Sequence, residues 1–216
     1  MPLIHERRGL VVTGAPGTGS TSLLAAFAAL PGVRAVPASD ILDPDGRQVL
    51  DAKHATVADL IAADLLPNDH HLRILTTTRN PFTYWPAEWN RSRTRWAAEL
   101  NDPDSWVRRQ PGALERIVNT VEQDFGPWLR SALEPELTTG GARRVNPGHV
   151  DEADLILRIE HIDDDLAAVG MECLVEVPHL NRSAPRQRAR DYYDDELRSA
   201  IETLYQADLE RFHYSF

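Results

Sequence analysis

The run Gly14-Ala15-Pro16-Gly17-Thr18-Gly19-Ser20-Thr21-Ser22 follows the apolar stretch 9–13. Glycines at 14, 17 and 19 permit positive φ and close approach of the backbone to a ligand. Thr18, Ser20, Thr21 and Ser22 add hydroxyl donors. Between a strand and a helix, such a loop aims backbone N–H groups and the positive end of a helix at an anion. The spacing is nearly that of a nucleotide-phosphate loop, but the position that should carry lysine is Ser20. An ATPase or GTPase also needs an acid at the end of a neighbouring strand to hold Mg²⁺. Here the apolar run 71–78 ends in Thr77-Thr78-Arg79. The residues therefore describe a phosphate site with neither the lysine nor the metal-holding acid, and no metal is expected in it.

Other residues can join that chemistry. Arg79 follows a strand and precedes Pro81, and its planar guanidinium suits a phosphate fork. His54 is a candidate base, because imidazole takes a proton near neutral pH. Lys53 beside it is the only lysine in the chain, the other 22 basic residues being arginine, so any role that demands lysine falls there. Arg182, Arg186, Arg188 and Arg190 form a basic patch in an otherwise acidic chain. Cys173, the sole cysteine, rules out an internal disulfide and reads as a small buried hydrophobe. Trp85, Trp89 and Trp96 recur at helical spacing, which reads as core packing before a substrate wall. The eight histidines show no metal-binding spacing.

The elements that must position these groups alternate between strand and helix. Residues 9–13, 34–36, 71–78 and 153–159 read as strands. Residues 20–30 and 54–66, the tryptophan-rich stretch after Pro81, parts of 103–134, and a closing amphipathic segment 191–212 read as helices; 136–150 reads as loop. That alternation implies an α/β fold of three layers, a central parallel sheet flanked by helices, with the ligand at the carboxyl ends of the strands. The 216 residues suit one domain spanning 1–216. No run approaches the roughly 20 apolar residues that span a bilayer, and the start MPLIHERRGL has no apolar leader core, so a cytoplasmic location without membrane partners is expected. A net charge of −10 argues against nucleic acid as the partner.

Four ordered segments resemble the sulfotransferases that use 3′-phosphoadenosine 5′-phosphosulfate, above all the branch with the carbohydrate sulfotransferases. Residues 14–23 look like the 5′-phosphosulfate loop, G-x-P-[KR]-x-G-[ST]-T-x-L. Lys53-His54-Ala55-Thr56 is similar to a histidine-bearing segment before the next strand. Thr78-Arg79-Asn80-Pro81-Phe82 looks like R-[DN]-P-[FWY], which binds the 3′-phosphate. LRIEHIDDDL at 157–166, VPHLNRSAPR at 178–187 and the run 191–216 are similar to the closing segments. The resemblance implies a P-loop-like fold and transfer of a sulfuryl group to a hydroxyl or amine of a small acceptor. It implies a donor held by Gly14, Ala15, Pro16, Gly17, Thr18, Gly19, Ser20, Thr21, Ser22, Arg79, Arg182 and Arg186, with His54 as base and Lys53 beside it.

The chain departs from that pattern twice. Gly17 stands where the family carries Lys or Arg, and Ala87 stands where it carries a serine against the 3′-phosphate. Two alternatives follow: a sulfotransferase-like binding protein that has lost transfer, and a nucleotide kinase or NTPase. A cation restored at position 17 is expected to raise the turnover of a transferase, because negative charge develops there on the leaving phosphate.

Overall fold

The computed structural model describes residues 1–171, 176–178 and 188–216. The chain divides into two compact units, one of Met1–Asp43, Val49–Arg79 and Asn146–Arg182, the other of Pro44–Gln48, Asn80–Val145 and Ser183–Phe216. No helix among the described residues is long and apolar enough to cross a membrane.

The first unit is mixed α/β. Its five-stranded sheet runs β3 (Arg34–Ala35), β1 (Leu3–His5), β2 (Leu10–Val12), β6 (Arg73–Thr78) and β7 (Leu155–Arg158). β2, β6 and β7 are parallel, whereas β1 is antiparallel to both its neighbours, so the sheet is mostly rather than wholly parallel. Short strands β4 (Ile41–Leu42) and β5 (Gln48–Leu50) make a separate pair. Alternation sorts the sheet's side chains onto two faces. Leu10, Val12, Leu75 and Leu157 pack with Leu23 and Phe27 of α1 (Ser20–Ala28). Val11 and Ile74 pack on the other face with Val57 and Leu60 of α2 (Val57–Ala62).

The chain leaves β2 for β3 on one side of the sheet and leaves β6 for β7 on the other. The carboxyl ends of β2 and β6 therefore flank a topological switch point, where open α/β sheets form a crevice for ligands. The loop after β2 and Arg79 after β6 both lie at that edge.

The second unit is helical among the described residues. Asn80 caps α3 (Pro81–Arg91) by accepting the Phe82 N–H on its side chain (3.0 Å), and Pro81 fills the first helical turn. Trp85 is buried with Phe125, Leu129, Leu133, Ile201 and Tyr205, and Trp89 packs against Phe125 and Tyr192, so these tryptophans are core. The segment read as loop is helical through Thr139, in a helix Phe125–Thr139 that contains Pro135. The closing helix breaks at Tyr205 into Asp195–Leu204 and Gln206–Phe212. Asp208, 1 % exposed, accepts from Arg144 Nε (3.1 Å) and from the Val145 N–H (2.7 Å).

Candidate functional site

The loop between β2 and α1 holds two left-handed glycines, Gly17 (φ +76°) and Gly19 (φ +74°), with Thr18 between them at negative φ. Such alternation of hand curls successive N–H groups into a concave nest. Gly14 is needed for a different reason. A Cβ there would stand 2.7 Å from the Lys53 carbonyl oxygen and 2.9 Å from Leu24 Cδ1.

Four consecutive carbonyl oxygens of the loop are each held by a donor. His54 Nδ1 donates to Gly14 O (2.5 Å). The hydroxyls of Thr18 (2.8 Å) and Ser20 (2.9 Å) donate to Ala15 O. Asn146 Nδ2 donates to Pro16 O (2.7 Å), and Arg79 Nη1 donates to Gly17 O (3.1 Å). In a trans peptide the N–H points opposite to the preceding C=O. The N–H groups of Ala15, Gly17 and Thr18 therefore point away from the donors that fix those carbonyls. Because the Thr18 proton is committed to Ala15 O, the 2.5 Å contact with Thr77 runs from the Thr77 hydroxyl to Thr18 Oγ1. The loop is thereby fastened to β6.

The start of α1 differs from that of α2. Glu152 closes the α2 N-terminus, accepting from the Val57 (2.8 Å) and Ala58 (3.1 Å) N–H groups, and Thr56 with Asp59 completes a capping box. α1 is preceded by Gly19, which offers no side-chain cap, and it has no acid in its first turn. Ser20, the residue in the lysine position, and Ser22 are buried, while Pro16, Gly19 and Thr21 are half-exposed, so the loop meets solvent along one edge.

His54 is half-buried. Its bond to a carbonyl fixes the Nδ1–H tautomer when the ring is neutral, leaving the lone pair on Nε2. Burial holds its pKa below the ordinary histidine value, against the raising effects of the Gly14 carbonyl and of Asp51. Lys53 reaches the loop through its backbone carbonyl, which packs on Gly14, and its side chain is exposed. The guanidinium placed against the loop is that of Arg79. Arg182 and Arg186 lie outside the described residues, as does Cys173.

Two residues escaped the sequence reading as parts of the site. Thr77 and Asn146 bond to the loop from 59 and 130 positions away. His149, 5 % exposed, lies beside His54, and burial together with the His54 charge pushes its pKa down to about 4. Its Nδ1 is buried without a partner in the described structure, as are the hydroxyls of Thr13, Thr76 and Thr78. By strand alternation these three threonines share the α2 face of the sheet with Val11 and Ile74. An open cleft of about 450 Å³ is lined by His5, Arg7, Arg8, Leu30 and Pro31 beyond the carboxyl end of α1, away from the loop and His54.

The left-handed backbone at position 17 bears on the cation expected there. Gly17→Lys must place a Cβ residue at φ +76°, which is expected to lower stability by about 1–2 kcal/mol. Urea melts of wild type and variant measure it, and equal stability would mean that the loop does not need the left-handed residue.

No family model matches the chain, and no curated protein or solved structure matches it. Fold and geometry define a mixed α/β chain with a mostly parallel five-stranded sheet. Its β2–α1 loop has four carbonyls held by donors, beside an uncapped helix start and a histidine of fixed tautomer.

Proposed function

We propose that the chain is a sulfotransferase that moves a sulfuryl group from 3′-phosphoadenosine 5′-phosphosulfate to a hydroxyl or amine of a small acceptor. The observation that carries this reading is the loop 14–19, whose four fastened carbonyls leave N–H groups turned the other way, with His54 as one of the fasteners. The loop and the open start of α1 fit a phosphosulfate through backbone N–H groups, the Thr18 and Ser20 protons being committed to Ala15 O. When bound, the donor supplies the sulfuryl group and a leaving phosphate oxygen.

The side chains then have distinct tasks. His54 Nε2 takes the acceptor proton as the new bond to sulfur forms, and the imidazolium that results keeps its Nδ1–H on Gly14 O. Its lowered pKa keeps the ring unprotonated and competent at neutral pH. Arg79 brings positive charge beside Gly17, where neither Gly17 nor Ser20 supplies any. Sulfuryl transfer resembles phosphoryl transfer in relying on positioning and electrostatics, so a cation held by the loop is of direct use.

Arg79→Ala is expected to weaken adenosine 3′,5′-bisphosphate by about 2 kcal/mol, roughly thirtyfold, in calorimetric titration. Unchanged affinity in a folded variant removes Arg79 from the donor site. The same titration without magnesium tests the class. Binding that requires Mg²⁺ favours a nucleotide kinase, and bisphosphate binding without donor turnover toward any acceptor favours a sulfotransferase-like binding protein.

A further inference from the structure

The turn Asn146-Pro147-Gly148-His149 touches both halves of the candidate site. Asn146 sits at φ +52°, a left-handed conformation that a non-glycine residue rarely adopts. Glycine would meet that backbone more easily, but glycine has no amide to give Pro16 O, which Asn146 Nδ2 reaches at 2.7 Å. Gly148 lies under Thr56, and a Cβ there would stand 3.3 Å from Thr56 Cγ2. His149, 5 % exposed, is buried beside His54. The turn is closed on itself. The N–H groups of His149 (3.0 Å) and Val150 (3.1 Å) donate to Asn146 O, and that of Asp151 donates to Pro147 O (2.8 Å). One short turn thus holds the loop at its first residue and the histidine segment at its last.

We propose that this turn is a positioning element, in which Asn146 sets the loop, His149 sets the backbone of His54, and the two are thereby held in one register. The inference rests on reading 14–19 as the anion loop and His54 as the base. Its geometry is selective. A β-branched or larger residue at 148 strikes Thr56, a residue without an amide at 146 releases Pro16 O, and a smaller side chain at 149 withdraws the buried ring from beside His54. The charged groups acting on His149 are His54 and Asp59, and those acting on His54 are Asp51, Lys53 and the amino terminus.

Two measurements on the full chain decide it. The first is calorimetric affinity for adenosine 3′,5′-bisphosphate in Asn146→Ala and Asn146→Gly, with melting temperatures alongside. Both variants are expected to lose about tenfold in affinity, the value of one good hydrogen bond. Asn146→Gly, relieved of backbone strain, is expected to melt within a few degrees of wild type. Wild-type affinity in Asn146→Gly would show that backbone conformation alone matters and would overturn the Asn146 half. The second is the pH titration of the His54 ring by nitrogen-edited NMR in wild type and in His149→Asn and His149→Gln. The His54 midpoint is expected to move by half a pH unit or more in either variant. An unmoved midpoint would overturn the His149 half. Should both variants fail to fold, wild type decides instead: each ring's resonance must report the other's titration, and its failure to do so has the same meaning. If wild type binds no bisphosphate, the reading of the loop fails. The His54 titration needs no ligand and still judges the turn.

Discussion

His54→Asn is expected to turn over the phosphosulfate donor about 10²–10⁴ times more slowly than wild type, while binding adenosine 3′,5′-bisphosphate within about threefold. The choice of asparagine follows from the geometry. The ring Nδ1 of His54 donates to Gly14 O, and an asparagine side-chain amide can place a donor near the same point. The variant thus keeps the bond that fastens the loop and loses only the basic nitrogen. His54→Ala loses both, so it is expected to fall in affinity as well as in turnover. The measurement is release of bisphosphate from the donor in the presence of a panel of alcohols, phenols and amines, paired with calorimetry for affinity. Turnover by His54→Asn at the wild-type rate would remove His54 as the base. Equal losses of affinity in both variants would make the histidine a structural fastener and nothing more.

How far the sequence reached this site is clearest residue by residue. The loop was legible because an apolar run, spaced glycines and hydroxyls follow one another locally, and the structure places it between β2 and α1. Asn80-Pro81 was legible as part of a motif, and its physical content is a side-chain cap followed by proline in the first turn. Asn146 was not legible, because nothing local marks a residue whose partner lies 130 positions away. β1 was hidden for another reason. Its three residues pair with β2 through Glu6-Arg7-Arg8 and a left-handed Gly9, a charged one-turn link that does not look like a hairpin. The helix that runs to Thr139 contains Pro135 and stops at Gly140-Gly141, and both features read locally as loop.

Stability is expected to fall as pH drops from about 6.5 toward 4, by about 3 kcal/mol from His149 alone. The cause is that folding buries this ring in its neutral form. Its pKa is about 4 in the folded chain and 6.5 in the ordinary state, so the unfolded chain binds the extra proton throughout that window. Each pH unit of difference carries about 1.4 kcal/mol. The contribution is complete above the unfolded value of 6.5 and is lost as pH falls toward the folded value. About 2 kcal/mol of it is gone by pH 5, before most carboxylates begin to take up protons. His54 acts in the same direction, since burial lowers its pKa too. Urea denaturation at half-unit steps from pH 7.5 to 5 reads the slope directly. His149→Asn removes the buried ring and is expected to flatten the curve over that window, whatever its stability at pH 7.5. Equal stability of the wild-type chain at pH 7.5 and pH 5 would show that His149 is not held neutral. A variant curve parallel to wild type would place the acid sensitivity on another group.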